Sequence, residues 1–459
     1  MTEDTISQIA TPRGAGGIGI VRVSGSEALS VACRVFRSAT GRDVREMAPY
    51  TACYGHVVRA DGTVLDACIL LYMRAPHSYT GEDTVELQCH GGNIVLRAVL
   101  LRTWEAGARP AEAGEFTKRA FLSGRLDLAR AEGVMELIAA KSERAARAAQ
   151  ERIAGAFSHA IEAVRTRLLG SIARIEAGID FPEDDVEDME RDALRTEIAA
   201  AHDAVTRLMR GAKTGRALRE GIKTVIVGRP NVGKSSLLNA LLGTERAIVT
   251  DVPGTTRDVI EEQMSVEGIP LRLLDTAGLR TAEDAVEQLG IARTEEHLLG
   301  AELILAVFDG AAARTAEDDA LIARLKGCRA HMIVLCNKSD CAPVLTAEDF
   351  SALSARVLFV SARTGAGLDE LRRAIADGAV QAEGDLDDGA LPNKEREVEA
   401  LGRAAALLDE AMRTLAADMG TDFVSIDLRA AYESLGEILG ETVDTDLIDR
   451  IFSEFCLGK

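Results

Sequence analysis

The sequence predicts a multidomain protein of α/β plus all-α class. A small α/β domain comes first, then a helical domain formed from two separated segments, with a doubly wound α/β domain inserted between them. Three observations predict this. Between residues 216 and 380, short and almost wholly apolar runs alternate with helical stretches, as strands of a parallel sheet buried on both faces do. On both sides of that block, apolar residues recur at spacings of three and four, the period of a helix with one buried face. Ahead of them, β-rich runs alternate with glycine-bearing turns.

In chain order, residues 1–124 carry four strand-like runs: Ile18 to Val23, Ala52 to Val58, Ala67 to Tyr72 and Thr84 to Cys89. Residues 125–215 form the first helical segment. Ile153, Phe157, Ile161, Val164, Leu168, Ile172 and Ile175 predict one long helix, and the acidic stretch Pro182 to Glu190 predicts a solvated turn. Residues 216–380 supply the strands Thr224 to Val227, Leu271 to Leu274, Leu303 to Phe308, Met332 to Cys336 and Val357 to Val360. Residues 381–459 form the second helical segment, with Val398, Leu401, Ala405, Leu408, Met412 and Leu415 on one face, after a flexible linker at Gly384 to Leu391. Each stripe needs a partner, because burying such a face is what stabilises a helix. The two segments are expected to pack on each other.

Composition bounds the function. The chain has 459 residues, 47% of them hydrophobic, enough for several cores. No run of eighteen apolar residues is present to span a membrane. The acidic, polar N-terminus lacks the features of a signal peptide, and the eight cysteines show no Cys-x-x-Cys pair, which argues against structural zinc and disulfides. A cytoplasmic location is expected. The net charge of −20 excludes a global basic field for holding nucleic acid; an RNA substrate would need a local patch or a partner. Taken alone, the acidity reads as solubility.

Four segments carry the chemistry. Gly228-Arg-Pro-Asn-Val-Gly-Lys-Ser235 fits G-x-x-x-x-G-K-[ST] between a strand and a helix. Its backbone N–H groups, including those of Asn231, Val232, Gly233 and Ser236, are expected to wrap phosphates at a helix N-terminus. Lys234 would bridge the β- and γ-phosphates and Ser235 would ligate Mg²⁺. Asp275-Thr276-Ala277-Gly278 ends a strand, where an aspartate reaches the magnesium through water and Gly278 offers an N–H to the γ-phosphate; alone, the pattern is also an ordinary strand-end turn. Asn337-Lys338-Ser-Asp340 follows another strand. The Asp340 carboxylate can accept from guanine N1–H and the exocyclic amine, a pair adenine does not offer. Asn337 is expected to read the other guanine edge, Lys338 to stack its stem along the ring, and Ser361, Ala362 and Arg363 to close the base pocket. Together they predict a guanine nucleotide site.

Two features depart from the common template. Leu279 stands where Ras-like enzymes place the glutamine that orients water, so water must be positioned from elsewhere. The first switch loop is expected at Thr250, Asp251, Val252, Pro253, Gly254, Thr255 and Thr256, with Thr256 a candidate Mg²⁺ ligand. The following Arg257 reads either as an arginine finger or as a solvated side chain paired with Asp258.

The whole chain resembles the tRNA-modification GTPases called MnmE or TrmE. The resemblance rests on Gly19-Ile-Val-Arg-Val-Ser-Gly25, Tyr79-Thr-Gly-Glu-Asp83, Glu86, His90-Gly-Gly92, Gly114-Glu-Phe-Thr117, Arg119-Ala-Phe-Leu122 and the closing Phe455-Cys-Leu-Gly-Lys459. It implies that the N-terminal domain is folate-binding-like and forms a homodimer. It further implies a tetrahydrofolate derivative (5-formyl- or methylene-tetrahydrofolate) held by Arg22, Glu86, Arg125 and Lys459, with Arg125 replacing a lysine of relatives. Read without the family, Arg22 and Glu86 are solvent-facing strand charges. An FAD-containing partner of the MnmG or GidA type is implied, joining in a heterotetramer to build a carboxymethylaminomethyl-type group on the wobble uridine C5 of certain tRNAs. Cys456 is either an idle tail thiol or a nucleophile in that chemistry. The resemblance also implies that G domains pair across the nucleotide. A potassium ion then takes the place of an arginine finger, with Asn231, Thr250, Val252 and Thr255 as ligands and Glu287 orienting water. Two other readings are a ribosome-assembly GTPase without folate chemistry, and a folate-dependent transferase with a vestigial nucleotide domain.

Overall fold

The computed structural model describes residues 4–12, 14–180, 187–243, 262–274, 298–379, 387–417, 420–455 and 458. The chain divides into two compact units, residues 1–135 with 433–459, and residues 136–432. The second helical segment expected over 381–459 is thereby shared, its last part folding with the N-terminal residues.

The first unit is built on β1 (Ile6–Ile9), β2 (Ile18–Ser24), β3 (Phe36–Ser38), β4 (Thr51–Val58), β5 (Val64–Met73), β6 (Thr84–His90) and β7 (Arg109–Pro110), in the order β3-β4-β5-β6-β2-β1-β7. All four expected runs are strands. Alternation divides their side chains between two faces. Val21, Val23, Leu70, Leu87 and Cys89 face one way and are buried with Val31 and Ala32 of the helix Ala28–Val35 and with Leu96 and Val99 of the helix Asn93–Glu105. Arg22 and Glu86 are register partners on the other face. Across β4–β5 on that face, Tyr54 and Ile69 are register partners and both are exposed. Phe121, Leu128, Ile448, Phe452 and Phe455 form a further cluster that seats the C-terminal helix Thr445–Ser453.

The second unit holds β8 (Ile222–Val227), β9 (Glu262–Val266), β10 (Ile269–Leu273), β11 (Leu303–Asp309), β12 (His331–Asn337) and β13 (Arg356–Phe359), in the order β13-β12-β11-β8-β10-β9. Only β9 pairs antiparallel. Each expected strand is present, and both sheet faces are covered. In β11, Leu303, Leu305 and Val307 join the core containing Leu237 and Leu371, while Ile304, Ala306 and Phe308 join the core containing Ile322 and Phe350. Burial on both faces is what removed polar residues from these runs.

The helices of this unit correct three expectations. The stripe from Phe157 to Ile175 is buried along the helix Ala156–Asp180, but Ile153 belongs to the preceding helix Glu143–Ala154, which Gly155 ends with φ at 102°. Only glycine adopts that conformation without strain. The helix Glu187–Arg210 begins inside the stretch expected as a turn. Acidic residues favour a helix's first turn because its N–H groups carry partial positive charge, and residues 182–186 lie outside the described ones. Asp387–Leu391 is packed rather than a linker. Gly389 is buried, and a Cβ there would stand 2.4 Å from Glu151 Cβ, so the glycine serves close approach.

The expected pairing of helical segments is present. The helix Glu395–Ala416 packs along Glu187–Arg210. The buried seam is Ala400, Leu401, Ala404, Leu408, Ala411 and Leu415, with Val398, Ala405 and Met412 at its flanks. Alanines in the seam let the two backbones approach. Arg152 and Glu397, 1% and 0% exposed, pair across the segments, and Arg152 also donates to the Leu391 carbonyl at 3.1 Å.

Candidate functional site

The parallel strands β8 and β12 end at one edge of the sheet, where β8 lies between β11 and β10. Ligands of doubly wound sheets bind at such a reversal of strand order. The loop leaving β8 is bent by positive φ at Asn231 (65°) and Gly233 (96°). A Cβ on Gly233 would lie 2.2 Å from Asn337 Nδ2, and one on Gly228 2.3 Å from the Val307 carbonyl oxygen, so both glycines are needed for contact with neighbouring strands. Gly233 leads into the helix Lys234–Leu242, which has no side-chain N-cap. Its first N–H groups form the kind of helix N-terminus at which anions bind. Lys234 Nζ donates to the carbonyls of Gly228 at 2.7 Å and Arg229 at 2.9 Å, placing the ammonium across the loop's mouth, and burial pulls its pKa below the ordinary lysine value. Ser235 and Ser236 follow on the exposed first turn. The Ser235 hydroxyl is a hard oxygen donor of the kind Mg²⁺ takes.

Asn337 joins this loop to the base pocket. It is 2% exposed. Its Nδ2 donates to the Val232 carbonyl at 2.8 Å, and its Oδ1 accepts from the Ala362 N–H at 3.1 Å. One amide N–H remains for a guanine edge, so Asn337 is first a tie between two loops. Lys338 stands in left-handed backbone, φ 66°, with its ammonium 2.6 Å from Asp309 Oδ2. Asp340 Oδ1 accepts from the Ser361 hydroxyl at 2.6 Å, and Arg363 pairs with Oδ2. The Ser361 hydroxyl, then the Arg363 guanidinium, hold the Asp340 carboxyl below the usual carboxylate range. A carboxylate that stays ionised at neutral pH is a suitable acceptor for the two N–H donors of guanine, a pair that adenine does not offer.

Of the predicted nucleotide residues, the structure brings together Asn231, Val232, Gly233, Lys234, Ser235, Ser236, Asn337, Lys338, Asp340, Ser361, Ala362 and Arg363. Thr250, Asp251, Val252, Pro253, Gly254, Thr255, Thr256, Asp275, Thr276, Ala277, Gly278 and Glu287 lie outside the described residues. Sequence reasoning missed Asp309; an acidic residue closing an otherwise apolar strand was the available signal.

A second arrangement lies in the first unit. Arg22 Nε and Nη2 each stand 2.9 Å from Glu86 Oε1, and the two side chains are 16% and 11% exposed. The strand charges are therefore not solvent-facing. The Arg22 guanidinium lies 5.6 Å from the centres of both the Tyr79 and Phe116 rings, within the range of a cation–π contact. Tyr79 is fixed by a 2.9 Å hydrogen bond between its hydroxyl and that of Thr117. Behind it, Arg119 is 4% exposed and meets Glu82 at 3.0 Å, Glu115 at 2.9 Å and Asp4 at 2.8 Å. The motif residues Glu82, Glu115 and Arg119 thus form one network that fixes the wall beside Arg22. Arg125 is exposed next to Gly81, whose Cβ would stand 3.4 Å from Arg125 Cγ. The C-terminal tail reaches the same sheet: Gly114 lies under Phe452 and Phe455, and a Cβ on Gly458 would meet the Ile9 carbonyl oxygen at 2.2 Å. Cys456 and Lys459 lie outside the described residues.

The sequence matches two family models, one described as the MnmE helical domain over residues 128–456 and one as the GTP-binding protein TrmE N-terminus over residues 5–125. Among curated relatives, the tRNA modification GTPase MnmE of Symbiobacterium thermophilum is 49% identical over the full length of both chains. That of Geobacillus kaustophilus is 46% identical, again over both full lengths, and that of Heliobacterium modesticaldum 47%.

Proposed function

This chain belongs to the tRNA modification GTPase MnmE family, a GTPase acting in tRNA modification, and from that premise we propose how its two sites divide the work. The nucleotide site binds Mg²⁺ and GTP through Lys234, Ser235, Thr256 and Asp275, and reads guanine through Asp340. Hydrolysis depends on potassium, held by Asn231, Thr250, Val252 and Thr255, and on pairing of two G domains, with Glu287 orienting water. The first unit binds a tetrahydrofolate derivative through Arg22, Glu86, Arg125 and Lys459, with Cys456 close to the one-carbon unit. With an FAD-containing partner, the protein installs a carboxymethylaminomethyl-type group at C5 of the wobble uridine.

The observation that carries this reading is the conjunction of the two arrangements in one chain. A guanine-type acceptor with its phosphate loop stands in one unit, and a guanidinium–carboxylate pair walled by two aromatic rings stands in the other. A planar, charged ligand such as a folate suits the second: its donors and carboxylates would meet Glu86 and Arg22, while Phe116, itself fully buried, backs the Arg22 guanidinium. The exposed pair Tyr54 and Ile69 on the same sheet supports the homodimer, as does Ile18, 68% exposed. Among the described residues, no helix is long and apolar enough to cross a membrane.

Nucleoside analysis of tRNA from cells lacking the protein tests the reading directly. Loss of the 5-substituted wobble uridine is expected, and an unchanged nucleoside profile refutes it. Turnover in potassium should exceed turnover in sodium, and equal rates remove the monovalent cation from the mechanism.

A further inference from the structure

β11 closes on Asp309, which belongs to none of the motifs above. Its carboxylate is 11% exposed and its two oxygens are divided. Oδ1 accepts from the Ala311 N–H at 3.1 Å, and Oδ2 takes the Lys338 ammonium at 2.6 Å. Arg229, the second residue of the phosphate loop, brings Nη2 to 3.8 Å from the same Oδ2. The Nε of Arg229 is 3.3 Å from Asp318 Oδ2. Asp318 is itself buried, and its Oδ2 accepts from the N–H and the hydroxyl of Thr315, both at 3.0 Å. One side chain of the phosphate loop and one of the base loop therefore converge on a single fixed carboxylate.

Lys338 needs such a partner. Its backbone is left-handed, which a residue with a Cβ adopts at a cost and keeps only where the surroundings over-determine it. Its side chain is long and carries much rotamer entropy. A charge-assisted hydrogen bond at the tip restricts that freedom before any ligand arrives. Burial opposes ionisation of Asp309, but the Lys338 ammonium, the Ala311 N–H and the Arg229 guanidinium outweigh it and keep the carboxyl below its ordinary value.

We propose that Asp309 is a positioning residue for guanine: it holds the Lys338 ammonium so that the aliphatic stem is presented to the purine face, and through Arg229 it ties that placement to the phosphate loop. The inference rests on the guanine reading of Asp340. Because the contact acts on the base, it affects GDP and GTP alike and leaves the chemical step alone.

Calorimetric titration of the full-length protein with GDP and with a non-hydrolysable GTP analogue tests this, together with GTP turnover. Asp309→Asn should weaken both nucleotides by the same factor, about tenfold, and raise KM with kcat at saturation unchanged. Asp309→Glu should restore most of the affinity. In a Lys338→Ala background, Asp309→Asn should add less than about threefold, because the two residues act as one unit. Full additivity with Lys338→Ala, a fall in kcat, or unchanged affinity would each overturn the inference. Asp340→Asn runs alongside. If it fails to exchange guanine for xanthine preference, the guanine reading itself falls; if it succeeds while Asp309→Asn is silent, only the positioning role does.

Discussion

Removing the Asn337 amide should loosen the phosphate loop and the base pocket together. In Asn337→Ala, the Val232 carbonyl loses its donor in a position that is 0% exposed. A buried acceptor left unpaired costs about 1–3 kcal/mol. The Ala362 N–H also loses its acceptor, but it is only half-buried, so about 1 kcal/mol is the appropriate figure. The sum is about 2–4 kcal/mol, which corresponds to roughly 30-fold to several-hundred-fold in nucleotide affinity if the loops must be re-formed on binding. Isothermal titration of GDP into wild-type and variant protein measures this, with circular dichroism checking that the sheet persists. Asn337→Asp is the sharper companion. It preserves shape but sets a carboxylate oxygen against the Val232 carbonyl, and should bind as poorly as the alanine variant. A loss of less than about threefold in either variant would refute the view that the tie preorganises the site.

Three further outcomes are expected. The Asp340 carboxyl is held down by Ser361 and Arg363; a group with a depressed pKa keeps its contribution above the ordinary carboxylate value and loses it as pH falls through the lowered one. The preference for GDP over inosine diphosphate, in which the phosphate titration near about pH 6 cancels, should accordingly be flat from pH 7 to about pH 5 and fall only below about pH 4; a midpoint near pH 6 in that preference would contradict the assignment. Glu287→Ala should abolish most GTP hydrolysis while GTP affinity stays within about twofold, and surviving turnover in a single-turnover assay would show that another group positions the water. Arg22→Ala leaves the largely buried Glu86 carboxylate without its cation and should destabilise the first unit by about 3 kcal/mol. Thermal denaturation and 5-formyl-tetrahydrofolate titration read this out, and an unchanged melting temperature with unchanged binding would refute the role of the pair.

Much of the fold was legible because burial on both faces writes itself into sequence. The runs in β11 and β12, buried on both faces over nearly their whole length, show this best, because polar residues are confined to their ends. The nucleotide site was legible for a different reason: glycine, lysine and serine at fixed spacing are required by phosphate geometry whatever the surroundings. What was not legible depends on long-range approach. Gly389 looked like part of a linker because no local rule shows that Glu151 and Ala148 lie against it. Arg22 looked like an ordinary strand charge, because the Tyr79 and Phe116 rings beside it come from segments 57 and 94 residues further along the chain. Asp309 gave a weak signal for the same reason: its partners Lys338 and Arg229 are distant in sequence and reach it only when the sheet forms.

The buried pair of Arg152 and Glu397 sets an order of events in synthesis. The two residues are 245 positions apart, so at about 5–20 residues per second the cation waits roughly 12–50 s for its carboxylate to be made. Until then Arg152 has the Glu136 carboxylate, 3.7 Å from its Nε, as an ion-pair partner but lacks the closer Glu397 pairing of the finished core, while the nucleotide-binding sheet between the two residues in sequence has all its strands in hand. That sheet is therefore free to mature first, and the helices finish around it. A truncated product ending within or just after the sheet would leave Arg152 with Glu136 but without the carboxylate that closes the buried pair in the complete chain.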